Sequence, residues 1–296
     1  MNKLEVFSGL GLKVDPFHKA AFDTGDSLRV RRILTMAVES RAMVSIVGPR
    51  GMGKSRAVSA ALNKIGSRIV MVNKSDKERV TISDIEQAII LDLSDDAPKR
   101  GGEIRARQLR PIIGAASRKQ QIVLVIEEAQ RLHAATLRSL KTLREISWMG
   151  ESELFTVVLV GQSDPMNRAG VSEVRLRTDC VHVQGLTETE AAGYVRATLG
   201  KFFDDGAVEA LAALPQANNY LELQKLLVEL LSYALMSGRE QVIEQDVRDV
   251  ARSESTALPR SAKAKTVAAP VSGSDALKSV LARRTGAEPT PLRSVV

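Results

Sequence analysis

Short apolar runs alternate with longer segments of helical spacing over the first two thirds of the chain. The runs are rich in β-branched residues and cover five stretches: 43–47, 69–72, 122–126, 155–160 and 180–183. Continuous apolar runs of this length are typical of strands buried on both faces of a parallel sheet. Helical patterns lie between them at 54–65, 83–93, 104–116 and 134–146. The alternation predicts an α/β fold with a parallel five-stranded sheet flanked by helices.

The pattern becomes entirely helical after Gly185. Thr187 and Glu190 form a candidate capping box that opens a helix to residue 199, and further helices are predicted at 204–214, 220–236 and 244–252. A second candidate box, Ser83 with Glu86, opens the earlier helix at 83–93. We therefore expect an α/β domain at 1–185 followed by a small all-helical lid domain at 186–253.

From residue 254 the chain is rich in Ala, Ser, Pro, Thr and Lys, which bury too little apolar surface to offset the entropy of ordering. Residues 254–296 are therefore predicted to be a disordered, flexible basic tail. Within it, Leu277, Val280 and Leu281 share one face of a potential short helix at 275–284. This periodicity is either accidental or the mark of a partner-docking peptide.

Composition narrows the class of protein. The 296 residues include one cysteine, Cys180, which excludes an intramolecular disulfide framework and favours a reducing compartment. No apolar run approaches the ~18–20 residues of a membrane span, so we expect a cytoplasmic protein that makes no contact with membranes. Aromatic residues are only 3%, which argues against a surface that stacks single-stranded bases.

The formal net charge of +7 is unevenly distributed. The stretch 257–296 holds seven basic and two acidic residues, so the tail contributes much of the excess. Within the body, the stretch 97–121 holds seven basic residues against Glu103 alone. That second cluster is the more informative indication of an anionic partner.

The strongest chemical motif is a glycine-rich loop that directly follows the first predicted strand and precedes a helix. Its G-x-x-x-x-G-K-S spacing is typical of a phosphate-binding loop, because glycines let backbone N–H groups approach phosphate closely. Lys54 would reach the outer phosphates of ATP, and the Ser55 hydroxyl would ligate Mg²⁺. The predicted nucleotide-binding residues here are Gly48, Pro49, Arg50, Gly51, Met52, Gly53, Lys54 and Ser55.

Two acids end the strand at 122–126. Glu127 is predicted to hold Mg²⁺ together with Ser55, and Glu128 to act as the general base or to position water. The usual first acid of such a strand is Asp. The extra methylene of Glu127 extends its carboxylate by ~1.5 Å, so we expect slow hydrolysis.

Three further residues are candidates for catalysis. Gln162 follows the strand at 155–160 and is predicted to orient the attacking water. Arg175 and Arg177 precede the last strand, where a guanidinium can reach the γ-phosphate of a neighbouring subunit as an arginine finger. A solvated basic pair remains the alternative for these two arginines.

The order of these motifs resembles the AAA+ ATPase superfamily over roughly residues 10–252. The basic turn at 97–102, the Glu127–Leu132 continuation and the compact lid are similar to the transposition regulators of the phage Mu B, TnsC and IstB types. The resemblance implies a P-loop AAA+ fold and an ATPase whose ATP-bound copies form a filament or ring on double-stranded DNA. It also implies delivery of target DNA to a transposase, which the peptide at 275–284 is a candidate to contact, and hydrolysis stimulated by a partner.

Two departures from those relatives affect the expectations. Mu B protein has an additional N-terminal helix-turn-helix domain, whereas the loop here begins at residue 48, so DNA contact is expected from the ATPase body. Many relatives place an arginine at the start of the third lid helix, where this sequence has roughly Tyr220. In similar ATPases the N-terminal segment lines the adenine pocket, which makes Phe17 a candidate for that role.

Two basic segments are candidates for DNA binding, which we expect to be tolerant of sequence because phosphates carry little base information. One segment follows the second predicted strand, and the other lies in the basic cluster of the body. Their members are Lys74, Lys77, Arg79 and Thr81, and Lys99, Arg100, Arg105 and Arg107.

Two other functions remain open from the sequence. A secretion-associated or helicase-loading ATPase would act on a protein complex instead of a DNA filament. A small-molecule phosphotransferase would also use a phosphate loop, although the helical lid argues against it.

Overall fold

The computed structural model describes residues 2–19, 22–72 and 80–257. Within these ranges, five parallel strands form one sheet in the order β2-β3-β4-β1-β5. The strands are β1 (Met43–Val47), β2 (Arg68–Val72), β3 (Ile122–Ile126), β4 (Thr156–Gly161) and β5 (Thr178–His182). This arrangement confirms the predicted α/β fold, in which β4 lies between β3 and β1.

The described residues also form twelve α-helices. They are α1 (Lys3–Gly9), α2 (Pro16–Lys19), α3 (Gly25–Glu39), α4 (Lys54–Ile65), α5 (Ile82–Leu93), α6 (Gly102–Ser117), α7 (Ala134–Arg144), α8 (Ser172–Arg175), α9 (Glu188–Leu199), α10 (Asp205–Ala212), α11 (Tyr220–Met236) and α12 (Glu244–Ala257). No helix in these ranges is both long and apolar enough to cross a membrane.

Helices cover both faces of the sheet. In β3, Val123 and Val125 pack with α3 and α4, whereas Leu124 and Ile126 pack with α5, α6 and α7. Successive strand residues point to opposite faces, so a continuous apolar run serves two cores at once. This burial is the reason that all five residues of β1 and of β3 are inaccessible to solvent.

A third core joins the two ends of the described chain. Side chains of α9–α12, here called the helical bundle, pack with Val6, Phe7 and Phe17 from the amino-terminal segment. The predicted boundary at residue 185 falls between β5 and α9. Residues up to Ser253 nevertheless form one compact unit.

The start of α5 differs from the sequence expectation. The capping residues are Thr81 and Asp84, since the Asp84 carboxylate accepts from the Thr81 backbone N–H at 2.9 Å and from its hydroxyl at 2.8 Å. The expected pair Ser83 and Glu86 does not form this box. The Glu86 carboxylate instead pairs with the guanidinium of Arg105 on α6. A charged donor binds a carboxylate more strongly than a backbone N–H does.

Trp148 packs against the core beside α6. A Cβ atom at Gly114 of α6 would lie only 2.2 Å from Trp148 Cγ. Glycine at this position is therefore required for the helix to approach the indole.

We expect Gly114→Ala to lower the free energy of unfolding by about 1–3 kcal/mol, because the new methyl group forces the indole to move. A thermal melt followed by circular dichroism should show a transition lower by several degrees. Gly102→Ala, in the first turn of the same helix, is the matched control because no atom lies within 4 Å of its added Cβ. Equal melting temperatures for the two variants would contradict the packing argument.

Candidate functional site

The glycine-rich loop runs from the end of β1 to the start of α4. Gly51 and Gly53 have φ of +88° and +76°, a conformation that residues with a Cβ rarely adopt. Gly53 is the N-cap of α4, so Lys54 and Ser55 occupy its first turn. The loop therefore presents backbone N–H groups at a helix amino terminus, the arrangement that binds phosphate.

Lys54 and Ser55 face the acids of β3 across the loop. Lys54 Nζ donates to the Pro49 carbonyl at 2.7 Å, and Ser55 Oγ donates to Glu127 Oε2 at 3.0 Å. Burial lowers the pKa of the Lys54 ammonium, against the opposing effect of the charges on Glu127 and Glu128. Ser55 and Glu127 are 72 residues apart in sequence, so the fold brings the loop and the acid pair into one site.

The Glu127 carboxyl lies in a partly desolvated corner. Burial raises its pKa above the ordinary value, and the charge of Glu128 adds to this, while the Ser55 hydroxyl and the Lys54 charge oppose it. Within the described ranges, no group of three or more His, Cys, Asp or Glu is arranged for a metal ion. A hydroxyl beside a carboxylate nevertheless fits Mg²⁺, which takes few protein ligands and completes its shell with phosphate oxygens and water.

Glu128 adopts a left-handed backbone conformation, with φ of +52°. The residue lies two positions after β3 and caps the short 3-10 turn Ala129–Arg131. Its side chain is 50% exposed, and its Oε2 lies 3.7 Å from Arg131 Nε. Glu128 lines the same cleft as the loop, where its carboxylate can meet water.

Gln162 follows β4, between the ends of β3 and β1. Its side-chain Nε2 lies 3.4 Å from Glu128 Oε2, so the structure brings the two predicted water-positioning residues together. A residue that the sequence analysis missed joins them: Gln130 donates to Glu128 Oε2 at 2.6 Å and accepts from the Gln162 backbone N–H at 2.9 Å. The sequence feature that could have pointed to Gln130 is its position two residues after the acid pair.

The helical bundle meets the loop at the first turn of α11. Asn219 Nδ2 donates to the Arg50 carbonyl at 2.7 Å, and the Tyr220 N–H donates to the Gly51 carbonyl at 3.1 Å. A Cβ at Gly51 would lie 2.1 Å from Asn219 Oδ1, so this contact also requires glycine. The sequence analysis considered Tyr220 but missed Asn219. An asparagine directly before a helix indicates only a helix cap, not a contact with the loop.

The loop, the acids and the bundle enclose a cleft of about 750 Å³. Phe22, Tyr194 and Tyr220 contribute aromatic side chains to its wall. Phe17 does not lie on that wall. Its ring is only 3% exposed, because it is buried in the core of the helical bundle. There it stacks on Tyr194 at a centroid distance of 6.4 Å.

The amino-terminal segment is attached to the helix that carries the loop lysine. Arg56 donates to the carbonyls of Phe17 at 3.1 Å and His18 at 3.3 Å. Phe22, from the same segment, is the aromatic side chain that reaches the cleft and replaces Phe17 as the candidate for base contact.

The family described as AAA domain matches residues 37–168, the stretch that holds the loop, both acids and Gln162. The chain has the P-loop AAA+ fold. A search of curated proteins finds no significant match.

Solved structures of the AAA+ fold resemble the chain at low sequence identity. Cdc6p of Pyrobaculum aerophilum has a TM-score of 0.58 and 14% identity, over 83% of this chain and 70% of that one. Drosophila ORC bound to DNA has a TM-score of 0.58 and 13% identity, over 86% and 66%. ORC2 of Aeropyrum pernix, in ADPNP-ADP complexes, has a TM-score of 0.55 and 15% identity, over 79% and 70%.

The predicted arginine fingers lie away from the cleft of their own chain. Thr178, the residue after Arg177, pairs with Met43 at the start of β1, whereas the loop follows the other end of that strand. Arg177 is 56% exposed and bonds Glu145 at 3.0 Å, and Arg175 is exposed at the end of α8. Neither arginine can act on a nucleotide in its own cleft without a large displacement.

The basic cluster of the body divides into exposed and buried members. Lys99 and Arg100 are exposed, and Arg107 is exposed beside Glu103 at 2.6 Å. Arg105 is only 6% exposed. The assignment of Arg105 to DNA binding is therefore wrong, because its guanidinium is buried against Glu86 at 2.7 Å and also donates to the carbonyls of Lys99 and Arg100.

The other predicted contacts are only partly within the described residues. Thr81 commits its hydroxyl to Asp84 at the start of α5. Lys74, Lys77 and Arg79 lie outside the described ranges, as does the peptide at 275–284.

Proposed function

We propose that the chain is an ATPase that binds Mg²⁺–ATP in this cleft and whose ATP-bound copies assemble on double-stranded DNA. The observation that supports this proposal best is the meeting of three elements: the loop with Lys54 and Ser55, the acids Glu127 and Glu128, and the amide of Gln162. Phosphate binding, metal binding and water activation each need one of these elements.

Each residue has a role that its position allows. The loop N–H groups and Lys54 would hold the phosphates, and Ser55 and Glu127 would hold Mg²⁺, which would supply charge that neutralises the phosphate oxygens. Glu128 accepts a proton from the attacking water, and Gln162 orients that water. The partly desolvated cleft strengthens these contacts relative to bulk water.

Assembly would complete the site. Arg175 and Arg177 lie near the amino end of β5, opposite the end of β1 that the loop follows. Their guanidinium groups would approach the γ-phosphate held by a neighbouring copy. ATP binding and polymerisation into a filament or ring are then thermodynamically linked. An isolated copy lacks this positive charge, so its hydrolysis is slow and is stimulated by assembly or by a partner.

Contact with DNA would use exposed cations that track the phosphate backbone. Lys99, Arg100 and Arg107 are available in the structure, and Lys74, Lys77 and Arg79 remain candidates from the sequence. A duplex carries about one charge per 1.7 Å, so each copy needs to supply only a few contacts. One similar structure, Drosophila ORC, is described as bound to DNA, which supports the proposal by analogy of fold alone.

The biological role that we propose is regulation of DNA transposition in the cytoplasm. It rests on the sequence resemblance to the Mu B, TnsC and IstB types. ATP-bound protein would select target DNA and deliver it to a transposase, with residues 275–284 as the candidate contact. Hydrolysis then converts ATP to ADP and phosphate, which removes the γ-phosphate contact between adjacent copies and releases the DNA.

Fluorescence anisotropy with a labelled duplex tests the DNA part of this proposal. We expect binding with ATP that is at least about tenfold tighter than with ADP and that weakens steeply with salt, because counterions are released from phosphates. The double variant Lys99→Ala/Arg100→Ala should bind more weakly by a similar factor on every duplex sequence. Lys201→Ala, at an exposed position between α9 and α10, is the control for loss of a cation elsewhere on the surface.

Two results would contradict the proposal in different ways. Equal affinity with ATP and ADP would show that nucleotide does not control DNA binding. Wild-type affinity in the Lys99→Ala/Arg100→Ala variant would show that the DNA surface lies elsewhere. Electron microscopy with ATP, with and without duplex, adds the assembly state: filaments only with DNA support the proposal, and persistent monomers oppose it.

A further inference from the structure

Gln130 lies next to the proposed catalytic residues without lining the cleft. It occupies the middle of the 3-10 turn Ala129–Arg131, directly behind Glu128. The cleft wall near it consists of Glu127, Glu128, Gly161 and Gln162. A contribution of Gln130 to hydrolysis must therefore act through one of these residues.

The amide of Gln130 bridges two groups whose hydrogen-bonding roles are fixed. Its Nε2 donates to Glu128 Oε2 at 2.6 Å, and its Oε1 accepts from the Gln162 backbone N–H at 2.9 Å. A carboxylate can only accept and a backbone N–H can only donate, so the flipped amide would lose both bonds. The orientation of Gln130 is thus determined by its neighbours.

The backbone around Gln130 holds the amide in this position. Arg168 donates to the Gln130 carbonyl. On the other side, a Cβ at Gly161 would lie 2.8 Å from Gln130 Oε1, so glycine at the end of β4 leaves space for the amide. The Gly161 carbonyl in turn accepts from the Gly48 N–H at 3.2 Å, which connects this turn to the start of the phosphate loop.

Two hydrogen bonds and one ion pair reach the Glu128 carboxylate among the described residues, all at the same oxygen. Gln130, Gln162 and Arg131 each have a nitrogen near Oε2, at 2.6, 3.4 and 3.7 Å respectively. The bond from Gln130 is the shortest of the three. Occupying Oε2 in this way leaves Oε1 as the oxygen that can face a water in the cleft.

We infer that Gln130 is a positioning residue that fixes the Glu128 carboxylate relative to the Gly161–Gln162 turn. Its two bonds hold the Glu128 carboxylate at a set distance from the Gln162 backbone, which carries the water-orienting amide. This inference rests on the proposed ATPase function and adds a residue to it. Small errors in the position of a catalytic group cost up to about 10²-fold in rate.

The test is the variant Gln130→Met, which keeps the length of the side chain and removes both hydrogen bonds. We expect kcat for ATP hydrolysis to fall about tenfold or more, with KM and the affinity for a fluorescent ATP analogue nearly unchanged. In a Glu128→Gln background the same substitution should cause no further loss, because a residue acting through Glu128 has nothing left to position. An additional loss in that background would overturn the inference.

A second variant separates the two bonds and guards against misfolding of the first. Gln130→Glu keeps an acceptor for the Gln162 N–H and replaces the donor to Glu128 by a like charge. We expect its kcat to fall at least as far as that of Gln130→Met, and wild-type kcat would overturn the inference.

If the wild-type protein itself fails to hydrolyse ATP, the proposed function fails and this role with it. Wild-type turnover with unchanged kcat in both variants would remove only the role of Gln130.

Discussion

Replacing Glu128 with Gln is expected to reduce ATP turnover by about 10²–10⁴-fold, the usual contribution of a general base. The amide has nearly the same shape as the carboxylate and cannot take a proton from water. Nucleotide binding should persist, because Lys54, Ser55 and Glu127 are unchanged. Phosphate release under saturating ATP measures the loss, and titration with a fluorescent ATP analogue measures the retained affinity.

The matched control for this variant is Glu229→Gln, at an exposed position of α11. It should turn over ATP at the wild-type rate. The Glu128→Gln protein should also remain on DNA after ATP is added, since the ATP-bound form persists. Wild-type turnover in Glu128→Gln would show that another group activates water and would remove the catalytic role from the acid pair.

Lys54→Ala is expected to have the second large effect, on binding of ATP itself. A hydrogen bond from an ammonium to phosphate contributes about 1.5–3 kcal/mol, which corresponds to roughly 10–100-fold in affinity. Because Lys54 is partly buried, water cannot replace the lost charge effectively, and we expect a loss of affinity near the upper end of this range. Isothermal titration with ATP and Mg²⁺ gives the dissociation constant directly.

The same variant separates nucleotide binding from DNA binding. With ATP present, Lys54→Ala should no longer coat a duplex at concentrations where the wild type does. Lys201→Ala again serves as the control for removal of one cation. A Lys54→Ala protein that coats DNA as well as the wild type would contradict the nucleotide switch, even if its affinity for ATP were reduced.

The sheet and the loop were accessible from sequence because their signals are local. The strands β1 and β3 and the helices α4 and α11 begin and end at the predicted residues. Helices α1, α2 and α3 were not predicted, although Thr24 and Ser27 form a capping box before α3. That helix is amphipathic and has four buried residues, so its apolar face was less evident than a continuous apolar run.

The errors and omissions in the site have a common physical reason. Arg105 was counted as part of a basic surface, but its partner Glu86 is 19 residues earlier and reaches it only in the folded chain. Gln130 and Asn219 were missed because their contacts, with Gln162 and with Arg50, join segments that are distant in sequence. Charge counts and motif spacing do not contain such contacts.

The neutral attachment between α11 and the phosphate loop bears on how ATP and ADP are distinguished. The bonds from Asn219 and Tyr220 go to loop carbonyls and involve no ionised group. Their strength therefore depends little on whether two or three phosphates lie in the loop. We therefore expect the contact between α11 and the loop to persist when ATP is exchanged for ADP. We expect the loss of the terminal phosphate to be sensed instead by Glu128 and Gln162 on the opposite wall of the cleft.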